Sequence, residues 1–465
     1  MAEHIICVTA TGGLPLFTRS KQGSPPLSFP VMASLNGVHL FAQNRDVTLV
    51  STLTTDHKIV WKMYQDSIVL IALVPNQKSK KDTDRIDKKK ESSEIREATI
   101  SDAHLLRILD NVFHSLVLLT GLDELCNHNN IERLKRDLRA SYKLIDSFLK
   151  KGPDSGDSHL FGDFTQCVDM VLCNEAPMLQ EHLNAFVEAA DSTYGCLVAG
   201  GRVVCATEKW WMLTGLELAL LGRLISVLSP NATSCDIPVY LPHSSPNIPH
   251  RLLLFTLISA GATRGLGEGG VRACVLCGPE PSLMEVQNRL VQRFWYPGVD
   301  TLQKCVQSCM TGFPPNLTNQ MPAGLLAFLL INRESCQCVP SLTPLIKPDG
   351  TVDKKLAPTD DVMIKQDEIP QALRDFYSEV VGTTFPLPET VETDSEKLDL
   401  SRKLAPPNRI YAKAHYTCLD SHKAFALRRG PHQLFCLYHP SNVPTFALQG
   451  LTENVLNLLV KEGLV

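Results

Sequence analysis

Nothing in the 465-residue sequence is long and apolar enough to cross a bilayer. A spanning helix needs about 18 or more consecutive apolar residues, and the best candidate, residues 105–119, is interrupted by Arg107, Asp110, Asn111 and His114. An excess of basic residues is also missing. Lys and Arg number 45 against 49 Asp and Glu, for a net charge of −4, so nucleic acid is not an expected partner. No basic leader precedes the first apolar run, which predicts a strand at residues 5–10 and an intracellular, cytoplasmic protein instead of a signal peptide. The chemistry motifs are absent too. There is no His-Glu-x-x-His, no Gly-x-Ser-x-Gly and no paired acidic metal motif, so hydrolase chemistry has no anchor, and no catalytic residue, metal ligand or cofactor is expected.

Several stretches approach chemistry without reaching it. Residues 261–270 are glycine-rich but lack the Lys-Ser/Thr ending of a phosphate loop and lie between two predicted strands, the place of a hairpin loop. Cys274 and Cys277, with Cys305 and Cys309, have the look of a zinc site, yet residues three apart on a strand point to opposite faces. Cysteine is otherwise plentiful, at 15 residues. In an intracellular chain these are chiefly small core residues kept reduced, and the odd number argues against a disulfide framework. His243 and His250 read as structural, and Trp210 and Trp211 read as core or edge packing before partner anchors.

What is present is length and pattern. A chain of 465 residues with 44% hydrophobic and 20% charged residues suits several ordinary globular domains. Residues 131–149 carry the clearest periodicity. Leu134, Leu138, Ser141, Tyr142, Ile145, Phe148 and Leu149 recur at helical spacing, at about 100° per residue, and predict one helix with a core-facing stripe. Arg136, Arg139 and Lys143 gather on the opposite wall, either a solvated face or a docking surface for an acidic partner or an anionic membrane. Residues 78–90 hold seven Lys and Arg against three Asp and have too few apolar residues for a core, the composition of a solvated loop.

Taken in order, the chain predicts strands at 5–10 and 14–18 and a helix at 30–43. Strands at 47–53, 58–64 and 67–74 follow, then helices at 100–119 and 131–149. Turn formers at 152–158 mark a boundary. A second pass gives a leading helix at 179–190, strands at 194–199 and 202–207, a helix at 213–228, strands at 236–241, 251–259 and 271–276, and a helix at 283–295. A third gives strands at 325–331 and 336–339 and a helix carrying Ile369, Leu373, Phe376, Tyr377 and Val380. Strands at 410–418, 424–427 and 434–438 and a helix from Leu448 to Leu459 close it, with an acidic, proline-punctuated loop at 386–407. The order ββαβββα therefore recurs three times, an α+β class in which antiparallel sheets carry helices on one face. Domains are placed at 1–151, 152–300 and 301–465.

This order resembles the longin fold, and three copies in one chain resemble the trilongin proteins. Specific blocks narrow the likeness. Gly162, Asp163, Phe164, Thr165, Gln166, Cys167, Val168 and Asp169, with Ser34 through His39, Phe41, Gln43 and Asn44, and with Val239 to His243 and Pro249 to Leu252, resemble the Fuzzy family of planar cell polarity effectors. The resemblance implies a non-enzymatic subunit of the ciliogenesis and planar polarity effector complex. It would pair with Inturned, join the WD-repeat protein Fritz and, in the pair, act as a guanine nucleotide exchange factor for a Rab-class GTPase. Basal-body docking, intraflagellar transport and Hedgehog signalling are the implied setting. By analogy with related longin pairs, the helix and strand spanning residues 30–53 are expected to build the pairing surface, with Val38, His39, Phe41 and Asn44 in it. The alternatives are a trafficking or tethering scaffold without exchange activity, and an enzyme using the Cys274 or Gly265 region.

Overall fold

The computed structural model describes residues 3–21, 23–75, 102–149, 161–228, 232–259, 270–311, 314, 317, 320–341, 368–385 and 412–461. The basic insert at 78–90, the turn formers at 152–158, the glycine-rich residues 261–269 and the acidic loop at 386–407 lie outside them. The first unit contains β1 (His4–Thr9), β2 (Pro15–Ser20), α1 (Phe29–Gln43), β3 (Ser51–Leu53), β4 (His57–Tyr64) and β5 (Ile68–Pro75). They form an antiparallel sheet in the order β2-β1-β5-β4-β3. The sheet is covered on both faces, not on one as expected. Ile5, Cys7, Leu70, Ala72 and Val74 point toward α2 (Asp102–Thr120), while Ile6, Val8, Val69, Ile71 and Leu73 point toward α1. The reason is in β5, where every residue from Ile68 to Val74 is apolar; a strand of that kind demands a cover on each side.

The predicted 131–149 helix is broken. After α3 (Leu122–Cys126), α4 (Ile131–Asp137) tightens into a 3₁₀ turn over Leu138–Ser141 before α5 (Tyr142–Leu149) resumes. A 3₁₀ turn lines up residues three apart, and here it lines up Leu138 and Ser141, both with no exposed surface. Residues of the expected core stripe remain inward, and Arg19 of β2 pairs through Nε with Asp146 of α5 at 2.7 Å while stacking over Tyr142.

The Gly162 to Asp169 block is a tie between units. In α6 (Gly162–Thr165) and β6 (Val168–Asp169), the Asp169 carboxylate accepts the backbone N–H groups of Phe161 and Gly162, each at 2.7 Å. A Cβ on Gly162 would lie 2.7 Å from both Asp169 Oδ2 and the Cys167 carbonyl, so glycine is required by close approach. The same segment then bonds in two directions. Val168 N–H donates to Cys336 O and Met170 N–H to Cys338 O, both at 2.8 Å, in the third sheet, while Val171 N–H donates to Val203 O at 3.0 Å in the second.

The second unit starts with α7 (Ala176–Ala189). Its sheet has the order β8-β7-β11-β10-β9, built from β7 (Tyr194–Ala199), β8 (Arg202–Ala206), β9 (Ser234–Leu241), β10 (Ser245–Ile258) and β11 (Val271–Cys277). Between β8 and β9 run α8 (Glu208–Trp211) and α9 (Gly215–Val227). Trp210 is buried in the core, as read from sequence. The third sheet has the order β14-β15-β16-β12-β13-β6 and uses β12 (Leu325–Asn332), β13 (Gln337–Ser341), β14 (Ala414–Cys418), β15 (Lys423–Arg429) and β16 (His432–Tyr438). The helices Ile369–Thr383 and Leu448–Lys461 pack on its opposite faces. Because β6 bonds to β13 in parallel register while Met170 bridges Val203 of β8, the second and third sheets are joined edge to edge through the Gly162 to Met170 segment.

One apolar core runs through all three units, collecting α2 and α5, α9 and β10, and β16 with the last helix. At its centre Arg223 of α9 donates from Nε to Ser147 Oγ and from Nη2 to Ser147 O of α5, both at 3.0 Å. Edge-on contact of the His114 and His243 rings at 5.0 Å adds a second bridge between the first and second units.

Candidate interaction surfaces

α1 divides its residues between core and solvent. Leu35, Asn36 and His39 face the sheet and are buried. The Trp61 indole N–H donates to Leu35 O at 3.3 Å, and the Asn36 amide fills the space over Gly13 that a Cβ would otherwise occupy. His39 lies under the helix with neither ring nitrogen hydrogen-bonded, and burial pushes its pKa down, so it is held neutral. On the other side Val31, Ser34, Val38 and Phe41 succeed one another at spacings of three and four and are exposed. Val38 is 50% and Phe41 64% exposed, and the Arg45 guanidinium sits 5.3 Å from the Phe41 ring centre.

The row continues past the helix. Asn44, exposed, caps the C-terminus of α1, and Val47, Val50 and Leu53 follow with their side chains in solvent. The strand expected at 47–53 is only Ser51–Leu53 in length; the chain leaves α1 through a left-handed Asp46 (φ 54°) and first meets β4 where Val50 O accepts the Trp61 N–H at 2.9 Å. Among the described residues β3 pairs with β4 alone and ends the sheet. It is firmly held: Ser51 Oγ donates to Asp102 Oδ2 at 2.7 Å, and Lys58 pairs with the same carboxylate, whose pKa is lowered first by Lys58 and then by Ser51. Of the four residues expected at this surface, Val38, Phe41 and Asn44 lie on it, while His39 points inward. Arg45, Val47 and Val50 were not singled out in the sequence; the signal for the two valines is an apolar row that stops short of regular strand pairing.

Arg136, Arg139 and Lys143 fall on α4, the 3₁₀ turn and α5 and are all exposed. Their neighbours Arg133 and Lys135 instead engage acidic side chains, Arg133 with Asp137 at 3.6 Å and Lys135 with Glu132 at 3.1 Å. Exposed charges act over a Debye length of about 8 Å at physiological salt. Charge reversal at all three positions is therefore expected to weaken binding to anionic vesicles or to an acidic partner roughly tenfold at low salt and progressively less as salt rises. Co-sedimentation with vesicles and partner titration across a salt series would read this, and unchanged binding throughout would make the stripe a solvated face.

The stretches that approach chemistry have structural places. Cys274 is buried in β11 opposite Cys196, and Cys305 is buried elsewhere in the second core. Among the described residues no group of His, Cys, Asp and Glu is arranged to hold a metal ion. A groove of about 380 Å³ lies at one end of the second sheet, lined by Glu188, Asp191, Tyr194, His250 and Cys277 among others. Burial raises the Cys277 pKa and lowers that of His250, whose Nε2 is 2.8 Å from Ser245 Oγ, so both rest in their neutral forms. No helix among the described residues is long and apolar enough to cross a membrane.

Comparison with known proteins agrees with this architecture. Family models for the first, second and third longin domains of FUZ, MON1 and HPS1 match residues 3–86, 190–296 and 324–463 respectively. The chain is 39% identical over 464 residues to the protein fuzzy homolog of Xenopus tropicalis, covering 98% of each. It is 39% identical over 474 residues to that of Homo sapiens and 38% over 467 residues to that of Rattus norvegicus, in both cases covering 98% of this chain and 97% of the relative. With three longin domains in order and whole-length similarity to these relatives, the chain belongs to the Fuzzy family.

Proposed function

We propose that this chain is one half of a longin-type guanine nucleotide exchange factor. It pairs through α1 and β3 with Inturned, joins the WD-repeat protein Fritz, and with Inturned acts on a Rab-class GTPase. As a planar cell polarity effector it serves ciliogenesis at the basal body, and through it intraflagellar transport and Hedgehog signalling. The basic stripe supplies a peripheral contact with anionic membrane.

The observation that carries the reading is a contrast between repeats. In the second longin unit the helix in the position of α1 is α9, buried on several sides, with Glu217, Leu218, Leu220, Leu221, Arg223, Leu224 and Ile225 all inaccessible. α2 and α5 of the first unit cover α9 and β9. The chain thus fills that surface by itself in its second repeat and leaves the same surface bare, and apolar, in its first. A contiguous exposed apolar row on a rigid helix and an open sheet edge suits a partner of the same fold.

Exchange needs no nucleophile. It needs contacts that favour the nucleotide-free GTPase over the loaded one, which is differential binding divided here between two chains. Release of fluorescent GDP from a panel of Rab-type GTPases is expected to be unaffected by this chain alone or by Inturned alone and to accelerate at least about tenfold with the pair for one or more GTPases. Full activity from the single chain would remove the composite site. No activity from a verified pair would leave a scaffold.

A further inference from the structure

Sheet edges are templates for further pairing unless something covers them. In the second and third sheets, β8 and β13 are tied by the β6 segment, and β9 lies against α2. β14 is different. Among the described residues it ends the third sheet, pairs only with β15, and has Ala414, Tyr416 and Cys418 exposed. The hydrogen bonds Arg428 N–H to Lys413 O at 2.8 Å and Leu419 N–H to His422 O at 2.9 Å fix which backbone groups look outward. Lys413, His415, Thr417 and Leu419 turn theirs toward β15, so those of Ala414, Tyr416 and Cys418 face solvent in the plane of the sheet. The strand is not loose. His415 Nδ1 is 2.8 Å from Thr384 Oγ1, at the C-terminal cap of the helix beneath, and Thr417 Oγ1 donates to Glu379 Oε1 on that helix at 3.4 Å. No proline interrupts it, and Tyr416, 62% exposed, stands at its midpoint.

The charges at its ends are complementary to each other. Exposed Lys413 precedes the strand, and exposed Asp420 follows it. We infer that β14 pairs antiparallel with β14 of a second copy of this chain, about a two-fold axis at Tyr416. In that register Ala414 faces Cys418 of the other copy, the two Tyr416 residues face each other, and Lys413 lies opposite Leu419, beside Asp420. A parallel pairing would instead set Lys413 against Lys413. The interface is isologous, so each favourable contact occurs twice. A five-residue edge buries far less than the roughly 1,200–2,000 Å² of a stable complex, which makes the self-association weak, with a Kd on the order of tens of micromolar.

The full chain is examined by sedimentation velocity across about a hundredfold concentration range bracketing that Kd. Lys413→Glu and Asp420→Lys are each expected to weaken the dimer about tenfold, and the double charge swap is expected to restore it. All these positions are exposed, so the fold is retained, as circular dichroism will check. The register is read separately. Outward-facing residues directly opposite each other have Cα atoms about 5.5 Å apart, within disulfide reach. Ala414→Cys protein treated with oxidised glutathione should therefore form a dimer linked through native Cys418, the two thiols giving their electrons to glutathione disulfide and releasing two reduced glutathiones. Ala414→Cys/Cys418→Ser should not. A chain that stays monomeric over the whole range, a dimer indifferent to the charge swap, or a crosslink mapped away from Cys418 overturns the inference.

Discussion

Protein carrying Val38→Asp and Phe41→Asp is expected to fold normally and to bind Inturned at least about 100-fold more weakly, a loss of roughly 3 kcal/mol. Both side chains project from α1 into solvent, half and nearly two thirds exposed, so the substitutions remove nothing from the core. What they insert is two carboxylates into the centre of an apolar row that a partner would have to desolvate. Arg45, already over the Phe41 ring, would neutralise part of the second charge, which is why the pair of substitutions is more telling than Phe41→Asp alone. Leu35→Asp is the contrasting control. Leu35 is on the same helix but is 8% exposed and packs with Ile6, Val8 and Trp61, so this change should damage the fold of the first domain as well as binding. Titration calorimetry with circular dichroism separates the cases. A folded double variant with undiminished affinity would remove α1 from the pairing surface and leave the exchange reading to rest on another face.

Much of this architecture was legible in the sequence because it rests on local pattern. The seven consecutive apolar residues of β5 and the seven of β12, which alternate between two covered faces, the paired glycines before β2 and β8, and the period of α2 and α5 all announce themselves. The single helix at 131–149 failed because periodicity reports which residues face the core, not how tightly each turn is wound. Leu138 and Ser141 satisfy either a 3.6- or a 3.0-residue turn, and packing selected the second. The expectation of one covered face failed for a different reason. A fully apolar run in β5 already called for two covers, and α1 supplies the second.

The candidate surface was half legible. Val38 and Phe41 could be placed on a helix, but whether they or His39 faced out depended on the phase of α1 against the sheet, which is fixed by Leu35, Asn36 and Trp61 together. The ties between domains were not legible at all. Ser147 and Arg223 are 76 residues apart, and nothing in either neighbourhood signals the other. Asp169 shows why a recognisable motif can be structural. Its carboxylate accepts the Phe161 and Gly162 amides, and the strand it ends joins two sheets.

Glu217 is the position where a single change should do the most damage to the fold. It is fully buried at the start of α9, and its carboxylate accepts five hydrogen bonds. Thr214 gives its N–H and hydroxyl, both at 3.0 Å; His243 and Ser244 give their N–H groups at 2.9 Å; and the Ser244 hydroxyl gives a fifth at 3.0 Å. The carboxylate therefore caps α9 and holds the β9–β10 turn, whose His243 ring meets His114 of the first unit. Glu217→Ala leaves three backbone N–H groups short of their acceptor, at a cost of about 3–5 kcal/mol. The transition that includes the second domain should fall by about 10 °C, and amide exchange should rise at residues 242–250. The dependence on pH has a definite sign. Burial alone would raise the Glu217 pKa, but the N–H groups of Ser244, His243 and Thr214 outweigh it and hold the pKa below its ordinary 4.5. A carboxylate with a depressed folded-state pKa stabilises the protein above its unfolded value, and that stabilisation is lost as pH falls through the folded value. The stability gap between the natural chain and Glu217→Ala should thus be full near neutral pH and close progressively below about pH 4.5. Comparison with Glu217→Gln, which keeps the shape and cannot ionise, isolates the charge. If the gap to Glu217→Gln stays constant from about pH 7 to about pH 3, ionisation of Glu217 is not what secures the turn.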